Sequence, residues 1–481
     1  MKTRIAPILI TLLCAAMTIV QSTHAATITV TNTNDSGTGS LRQALAGANN
    51  GDTIIFSVTT PATITVTSGA LVVNKSITIT GPGANQLSVN GNAASTVFSI
   101  ASGTVVTISN LTVTNGMGSV SNQDNGLSGG GIYNLHATLT INNCTITNCI
   151  APDRGGGIYN DYATLTINNS TISGNSATGV FGGYDGGGIF NESGTVVIDN
   201  STISGNSALL CGGVENASIY STPSGALTIT KSTLSDNSNR GIYDDYASAG
   251  LTIGNTILRA STIYADVHAY GPPPTSLGYN MSNDGGGGIL TGPGDQINTD
   301  PLLGPLQDNG GPTFTHALLC NSPASNAGNP SFTPPPDYDQ RGLGFPRVVN
   351  GRIDIGAFEQ QGTSTTYTGQ VQPPINADGT SIFTVRRGVV PVKFNLTDGC
   401  SGDTTCALPP ATIAVTRTAG GTTGTINESV YSGSSDAGSN FRITGCQYSY
   451  NLNSSALGVG TYRVDILINS QAVGSATFQL K

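Results

Sequence analysis

The chain of 481 residues has no tryptophan, four methionines, four histidines and charged side chains at only 9% of its positions. Each scarcity excludes something. A β-propeller would want regular units of about 40 residues and usually tryptophan. A disordered chain would carry more charge and fewer β-branched residues. Past the first 25 residues no apolar run is long enough to cross a bilayer as a helix. His136, His268 and His316 form no metal-ligand spacing, and neither a Ser-His-Asp motif nor a phosphate-cradling glycine loop is present. Lysine and arginine total 18 against 27 aspartates and glutamates, a balance that argues against nucleic acid as a partner.

Glycine, at 64 residues, is abundant, and it is periodic. Gly129-Gly-Gly-Ile-Tyr-Asn134 returns as Gly155 to Asn160, as Gly186-Gly-Gly-Ile-Phe-Asn191, as Gly212-Gly-Val-Glu-Asn216 and as Gly241-Ile-Tyr-Asp244. The apolar residue after the glycines steps by 26, 31, 25 and 28 positions. Each unit holds two further runs, as in Leu139-Thr-Ile141 with Thr145-Ile146, and Leu165-Thr-Ile167 with Thr171-Ile172. Alternation within a run means strand, and a fixed period means units that bury their faces only against their neighbours. Three short strands per unit predict an all-β chain whose main body is a right-handed parallel β-helix.

The first 25 residues read as a secretory leader. Lys2 and Arg4 precede an apolar run to Val20, and Thr23-His-Ala25 offers a cleavage site. Removing them leaves 16 basic against 27 acidic residues and seven cysteines. An odd count leaves at least one thiol unpaired within the chain. Cys144 and Cys149 occupy the columns of Ser170 and Asn175, so both are expected as core thiols; one bridge is expected among Cys400, Cys406 and Cys446.

Next, Ser40 and Gln43 form a capping box, with Leu41, Ala44, Leu45 and Ala48 on one helical face. Such a helix would cover the open end of the first coil. The segment from Asn34 to Phe56 resembles the N-terminal part of many bacterial surface and secreted β-helix proteins. Tyr279 to Glu359, with Asp339-Gln-Arg-Gly342 and Asp354-Ile-Gly-Ala-Phe-Glu359, is similar to the bacterial "choice-of-anchor Q" family, although Cys320-Asn-Ser-Pro departs from it. That resemblance implies export and architecture and names no substrate. Residues 361–370 read as a polar linker. In 371–481 the runs Val390 to Leu396, Thr412 to Val415, Thr461 to Ile468 and Ala476 to Leu480 fit a small immunoglobulin-like sandwich. Pro391-Val-Lys-Phe394 and Gly460-Thr-Tyr462 resemble the PxKF module of exported bacterial proteins. The expected domains are therefore 1–25, 26–360 and 371–481, joined by 361–370.

If Ile132 points inward, Tyr133 points out and Asn134 turns back at the corner. Tyr133, Tyr159, Phe190, Glu215 and Tyr243 then form an outward column, a platform for sugar rings or simply a ladder that stabilises itself. The inward column from Asn134 to Asp244 reads as an Asn ladder. Insertions recur at one corner, from Gly116 to Ser128, Ile150 to Arg154 and Ala177 to Asp185, and offer Gln123, Asp124, Asp153, Arg154, Phe181, Tyr184 and Asp185 as a binding edge. Asp161 and Glu192 fall one coil apart, near the ~5 Å a retaining glycosidase wants. They would equally hold Ca²⁺, the one cofactor this pattern suggests, yet no basic residue stacks beside them. The reading that results is a secreted or surface-displayed β-helix without enzymatic activity, adhesive or structural, toward polysaccharides or cell-surface glycans. Its alternative is a polysaccharide lyase or glycoside hydrolase acting at Asp161 and Glu192.

Overall fold

The computed structural model describes residues 25–481 except 122–126, 180–184, 218–224, 246–249, 260–266, 270–272, 362–366, 386–387, 399–403, 407, 421–433 and 469–470. From Thr27 to Ser282 the chain winds as a parallel β-helix of three sheets. The first sheet has ten strands, among them Thr138–Asn142, Thr164–Asn168 and Thr195–Asp199. The second has nine, including Thr145–Thr147, Thr171–Ser173 and Thr202–Ser204, and the third eight, including Ile132–Leu135, Ile158–Asp161 and Ile189–Glu192. Every strand pairs in register with its counterpart one coil on, so Ile132 lies beside Ile158 and Ile158 beside Ile189.

Register makes columns, and the columns carry the core. Inward Ile, Leu and Val from all three sheets form one continuous apolar cluster. The Asn ladder expected at the corner is present and fully buried: Asn134 Nδ2 donates to Asn160 Oδ1 at 2.7 Å, Asn160 to Asn191 at 2.7 Å, Asn191 to Asn216 at 2.6 Å and Asn216 to Asp244 at 2.6 Å. A second ladder joins Asn175, Asn206 and Asn237, with 2.9 Å between amides. Cys149 stands one coil before Asn175 in this ladder and Cys144 one coil before Ser170 in a serine column; both are free, buried thiols. Between strands the chain turns on left-handed residues, which asparagine tolerates; Asn143, Asn169 and Asn200 have φ of 51°, 50° and 50°. The glycine triplets serve the same end. Gly155 takes φ of 64°, and a Cβ on Gly156 would meet backbone oxygens of Ser176 and Gly187 at 2.4 and 2.5 Å.

The amphipathic helix Leu41–Gly47 caps the first coil as expected. Ser40 Oγ accepts from Gln43 N, Gln43 Oε1 accepts from Gly39 N, and Leu41, Ala44 and Leu45 join the solenoid core. The other end differs from the sequence reading. The coils stop at Met281–Ser282, and Leu303–Gln307 and Thr315–Leu318 pair as an antiparallel hairpin. Residues 313–357 then run back as a strap along the outer face of the second sheet. Gln340 Nε2 donates to Thr171 Oγ1 at 2.8 Å, Thr202 Oγ1 donates to Gln340 Oε1 at 2.6 Å, His316 Nε2 meets Ser204 Oγ at 2.8 Å, and Ala357 N donates to Thr233 Oγ1 at 3.0 Å. Proline and glycine interrupt this segment too often for three strands per turn, so it covers a face instead of adding coils.

Inside the strap Arg341 forks onto Asp339, 2.6 Å at the closest, while its guanidinium lies 3.9 and 3.8 Å from the ring centres of Phe345 and Phe358. Downstream, five- and four-stranded sheets between Tyr367 and Leu480 form a β-sandwich around Phe394, Tyr448, Val464 and Phe478. Its first strand, Tyr367–Gln372, begins inside the stretch read as linker. Cys406 bonds to Cys446, and Cys320 is also disulfide-bonded.

Two stability outcomes follow from these contacts. Asn191→Ala strands the amide of Asn160 and the oxygens of Asn216 and Gly194, and should cost about 3 kcal/mol in urea titration; outward Thr166→Ala should stay within about 0.5 kcal/mol. Arg341→Lys keeps the charge but loses the fork and both stacked rings. It should loosen the strap by about 2 kcal/mol, read as faster proteolysis within residues 313–357 with the coils intact.

Candidate functional site

The third sheet's outer face is where candidate residues converge. Tyr133, Tyr159 and Phe190 stack in register, with ring centres 5.3 and 5.5 Å apart and planes tilted by 41°. They point outward, as alternation requires, but are 3%, 1% and 0% exposed. Of the two readings, sugar platform or self-stabilising ladder, the buried stack at these three coils is the ladder. The described parts of the lengthened corners pack against the sheet. Ile150–Ala151 and Ser176–Ala177 pair as a small parallel sheet of their own. Asp153, Arg154 and Asp185, expected on a solvated binding edge, are buried, and Arg154 lies 5.6 Å from the Phe190 ring centre. Tyr184, Gln123, Asp124 and Phe181 lie outside the described residues.

Asp161 and Glu192 are Cα partners on adjacent coils, as the spacing implied. Each accepts a hydrogen bond from the tyrosine hydroxyl of the preceding coil: Tyr133 to Asp161 Oδ2 at 2.6 Å, and Tyr159 to Glu192. Burial, reinforced by the neighbouring carboxylates, holds both tyrosine hydroxyls protonated far above their ordinary range. The carboxyl groups are 1% and 2% exposed, so neither meets a substrate bond for acid–base work in this arrangement. Among the described residues no group of three His, Cys, Asp or Glu side chains is placed to hold a metal.

One coil further the aromatic column is broken by Glu215, a buried acid whose role sequence reasoning missed. Glu215 is fully buried, and its Oε2 accepts from Asp185 N and Gly186 N at 3.0 Å each. Asp185 in turn accepts from the backbone of Leu209 at 2.6 Å, Leu210 at 3.0 Å and Cys211 at 3.3 Å. Desolvation pushes Glu215 up to about 8 and raises Asp185 as well. Together they tie two corners down onto the sheet. The visible signal was a carboxylate standing in a column of rings. Beyond it the column reopens: Tyr243 stacks on His268, centres 5.7 Å apart, with Arg240 5.5 Å from the Tyr243 ring centre, and both rings are half-buried.

Residues 73–262 match a family model described as a right handed beta helix region. With three stacked parallel sheets this makes the chain a right-handed parallel β-helix repeat protein with a C-terminal β-sandwich. Neither the curated proteins nor the solved structures yielded a match.

Glu215 also sets a pH dependence. The folded protein keeps its proton up to about pH 8, whereas the unfolded chain releases it in the ordinary glutamate range near 4.3. Between these values the folded state binds more protons, so stability falls as pH rises. Glu215→Gln preserves the neutral acid's hydrogen bonds. It should flatten the decline in melting temperature across about pH 5 to pH 9, where each kcal/mol restored is worth about 2–4 °C.

Proposed function

We propose that this is an exported, non-enzymatic β-helix that presents a rigid adhesive surface to neutral glycans, with the sandwich as an accessory module. The observation that carries the reading is the fate of the three outer faces. The second sheet is buried beneath the strap from Thr171 to Ile257, and the third beneath its own corners from Tyr133 to Ala217. Among the described residues the first sheet stays open. Its central outward column reads Thr27, Thr53, Thr78, Thr107, Thr140, Thr166, Val197, Thr228, Thr252 and Thr275, in register through ten strands. None of these residues is buried and none is charged. A flat, regular array of hydroxyls and methyls suits an uncharged polymer, and a mature chain of net negative charge disfavours an acidic one. Export is supported by the leader-like first 25 residues and by the Cys406–Cys446 bridge, which fits an oxidising compartment.

The alternative, a polysaccharide lyase or glycosidase acting at Asp161 and Glu192, needs those carboxyls to face a substrate. Their burial under tyrosine hydroxyls weighs against it. Affinity electrophoresis of the mature protein through gels cast with neutral and acidic polysaccharides, stained for both protein and polymer, tests both readings. A band retarded in neutral gels that remain intact is expected. A cleared track that disappears in Asp161→Asn or Glu192→Gln would establish the enzyme, and free migration in every gel would remove glycan binding.

A further inference from the structure

At the corner between the third and first sheets one position recurs in four successive coils as Gly103, His136, Tyr162 and Ser193. Gly103 N donates to His136 O at 3.0 Å, His136 N to Asp161 O at 2.9 Å and Tyr162 N to Glu192 O at 2.8 Å. All four are left-handed, with φ of 77°, 48°, 46° and 51°. Glycine fits that conformation freely; for a ring as bulky as tyrosine it is an outlier. Strain of this kind persists where surrounding structure or function demands the side chain. Here burial is not the compensation, because His136 is exposed and Tyr162 only half-buried.

The two rings stack face to face, centres 5.5 Å apart and planes within 9°. They border an open groove of about 250 Å³ floored by Ala137 and Ala163 and flanked by Thr138, Thr164 and Val105. Val105 is 58% exposed. On the Gly103 side, a Cβ added to that glycine would meet no atom within 4 Å, so the ring stack has open space beyond it. The groove runs directly onto the threonine face of the first sheet, since Thr138 and Thr164 belong to both.

We infer that His136 and Tyr162 form a stacking subsite for a neutral saccharide whose chain continues across the threonine face. A pyranose ring has an apolar C–H face and a rim of hydroxyls. The first is met by an aromatic ring face, the second by Thr138 and Thr164. Among the described residues no carboxylate and no lysine or arginine lines the groove, which selects against charged sugars. The inference rests on the glycan-binding reading above, but assigns that binding to two residues it does not require.

The test uses His136→Gly, Tyr162→Gly and the double variant in the full mature chain, run through gels cast with a soluble neutral β-glucan. Glycine relieves the left-handed strain, so each variant should melt at or above the wild-type temperature, which separates lost binding from lost fold. Retardation of the wild type, weakened about tenfold in each single variant (about 1.4 kcal/mol) and abolished in the double, is the expected result. A retarded wild type with equally retarded variants would overturn this subsite while leaving glycan binding in place. A wild type that migrates freely in neutral gels, or is held only by acidic polymer, would overturn the neutral-glycan reading and the subsite with it.

Discussion

Everything in the solenoid depends on registry, the requirement that each residue sit beside its own counterpart one strand spacing away. Registry lets a polar side chain be buried without a dedicated partner elsewhere in the sequence, because the next copy of the same residue is the partner. Asn160 donates to Asn191 and to the Ala163 carbonyl while accepting from Asn134, so one amide satisfies both neighbours and the corner it occupies. A chain poor in large apolar side chains can then build a long interior from Ile, Val and Leu on three faces with asparagine at the corners. It also explains the free thiols. Cys149 and Cys144 stand at the first coil of an Asn and a Ser column, where each donates its backbone N to the ladder residue of the next coil, Asn175 Oδ1 and Ser170 Oγ.

Where registry fails, buried carboxylates take over the work of the ladder. The corners over the third sheet do not repeat, and their amides are gathered by Asp185 and Glu215. The strap does not repeat either, and there Asp339 accepts from Arg341 N and Glu359 N while Asp354 accepts from Asn326 N and Gln360 N. Among these clusters Glu359, like Glu215, is pushed up to about 8 by desolvation. An acid acceptor satisfies two or three irregular amides at once, at the cost of a group that would rather stay neutral. The Asp-Gln-Arg-Gly phrase at 339–342 is legible in these terms: Asp339 and Arg341 hold the strap together, and Gln340 between them points the other way, onto Thr171 and Thr202.

Direction was readable from the chain, whereas exposure was not. Alternation correctly placed Ile132 inward and Tyr133 outward, and the period correctly paired Asp161 with Glu192. The capping helix, the strands of the solenoid and most strands of the sandwich followed from the same local signals. But a period-2 pattern says which side of a sheet a residue faces and nothing about a further layer beyond it. The layer over Thr171 is Gln340, 169 residues away, and no local pattern announces it. The cover over Tyr159 comes from insertions whose length was visible and whose conformation was not. The aromatic column was thus right in geometry, and of its two readings the buried ladder is the one found at Tyr133, Tyr159 and Phe190. His136 was weighed only as a metal ligand and Tyr162 not at all, because nothing in their immediate sequence marks a left-handed corner; only their alignment with Gly103 and Ser193 does.

The covers also narrow where recognition can occur. A three-faced solenoid that buries the middle of two faces has committed them to its own stability: the polar residues there are already paired to the strap or to the corners. The first sheet is under no such commitment, since its outward threonines are neither buried nor needed by a second layer. Nothing in folding requires nine threonines in ten in-register positions, because β-branched apolar residues would pack the same pleat, as Val197 does within that column. Hydroxyls kept in register on the face that stays open among the described residues, next to an exposed His136 and a half-buried Tyr162 in left-handed corners, are what the proposed glycan-binding role would need.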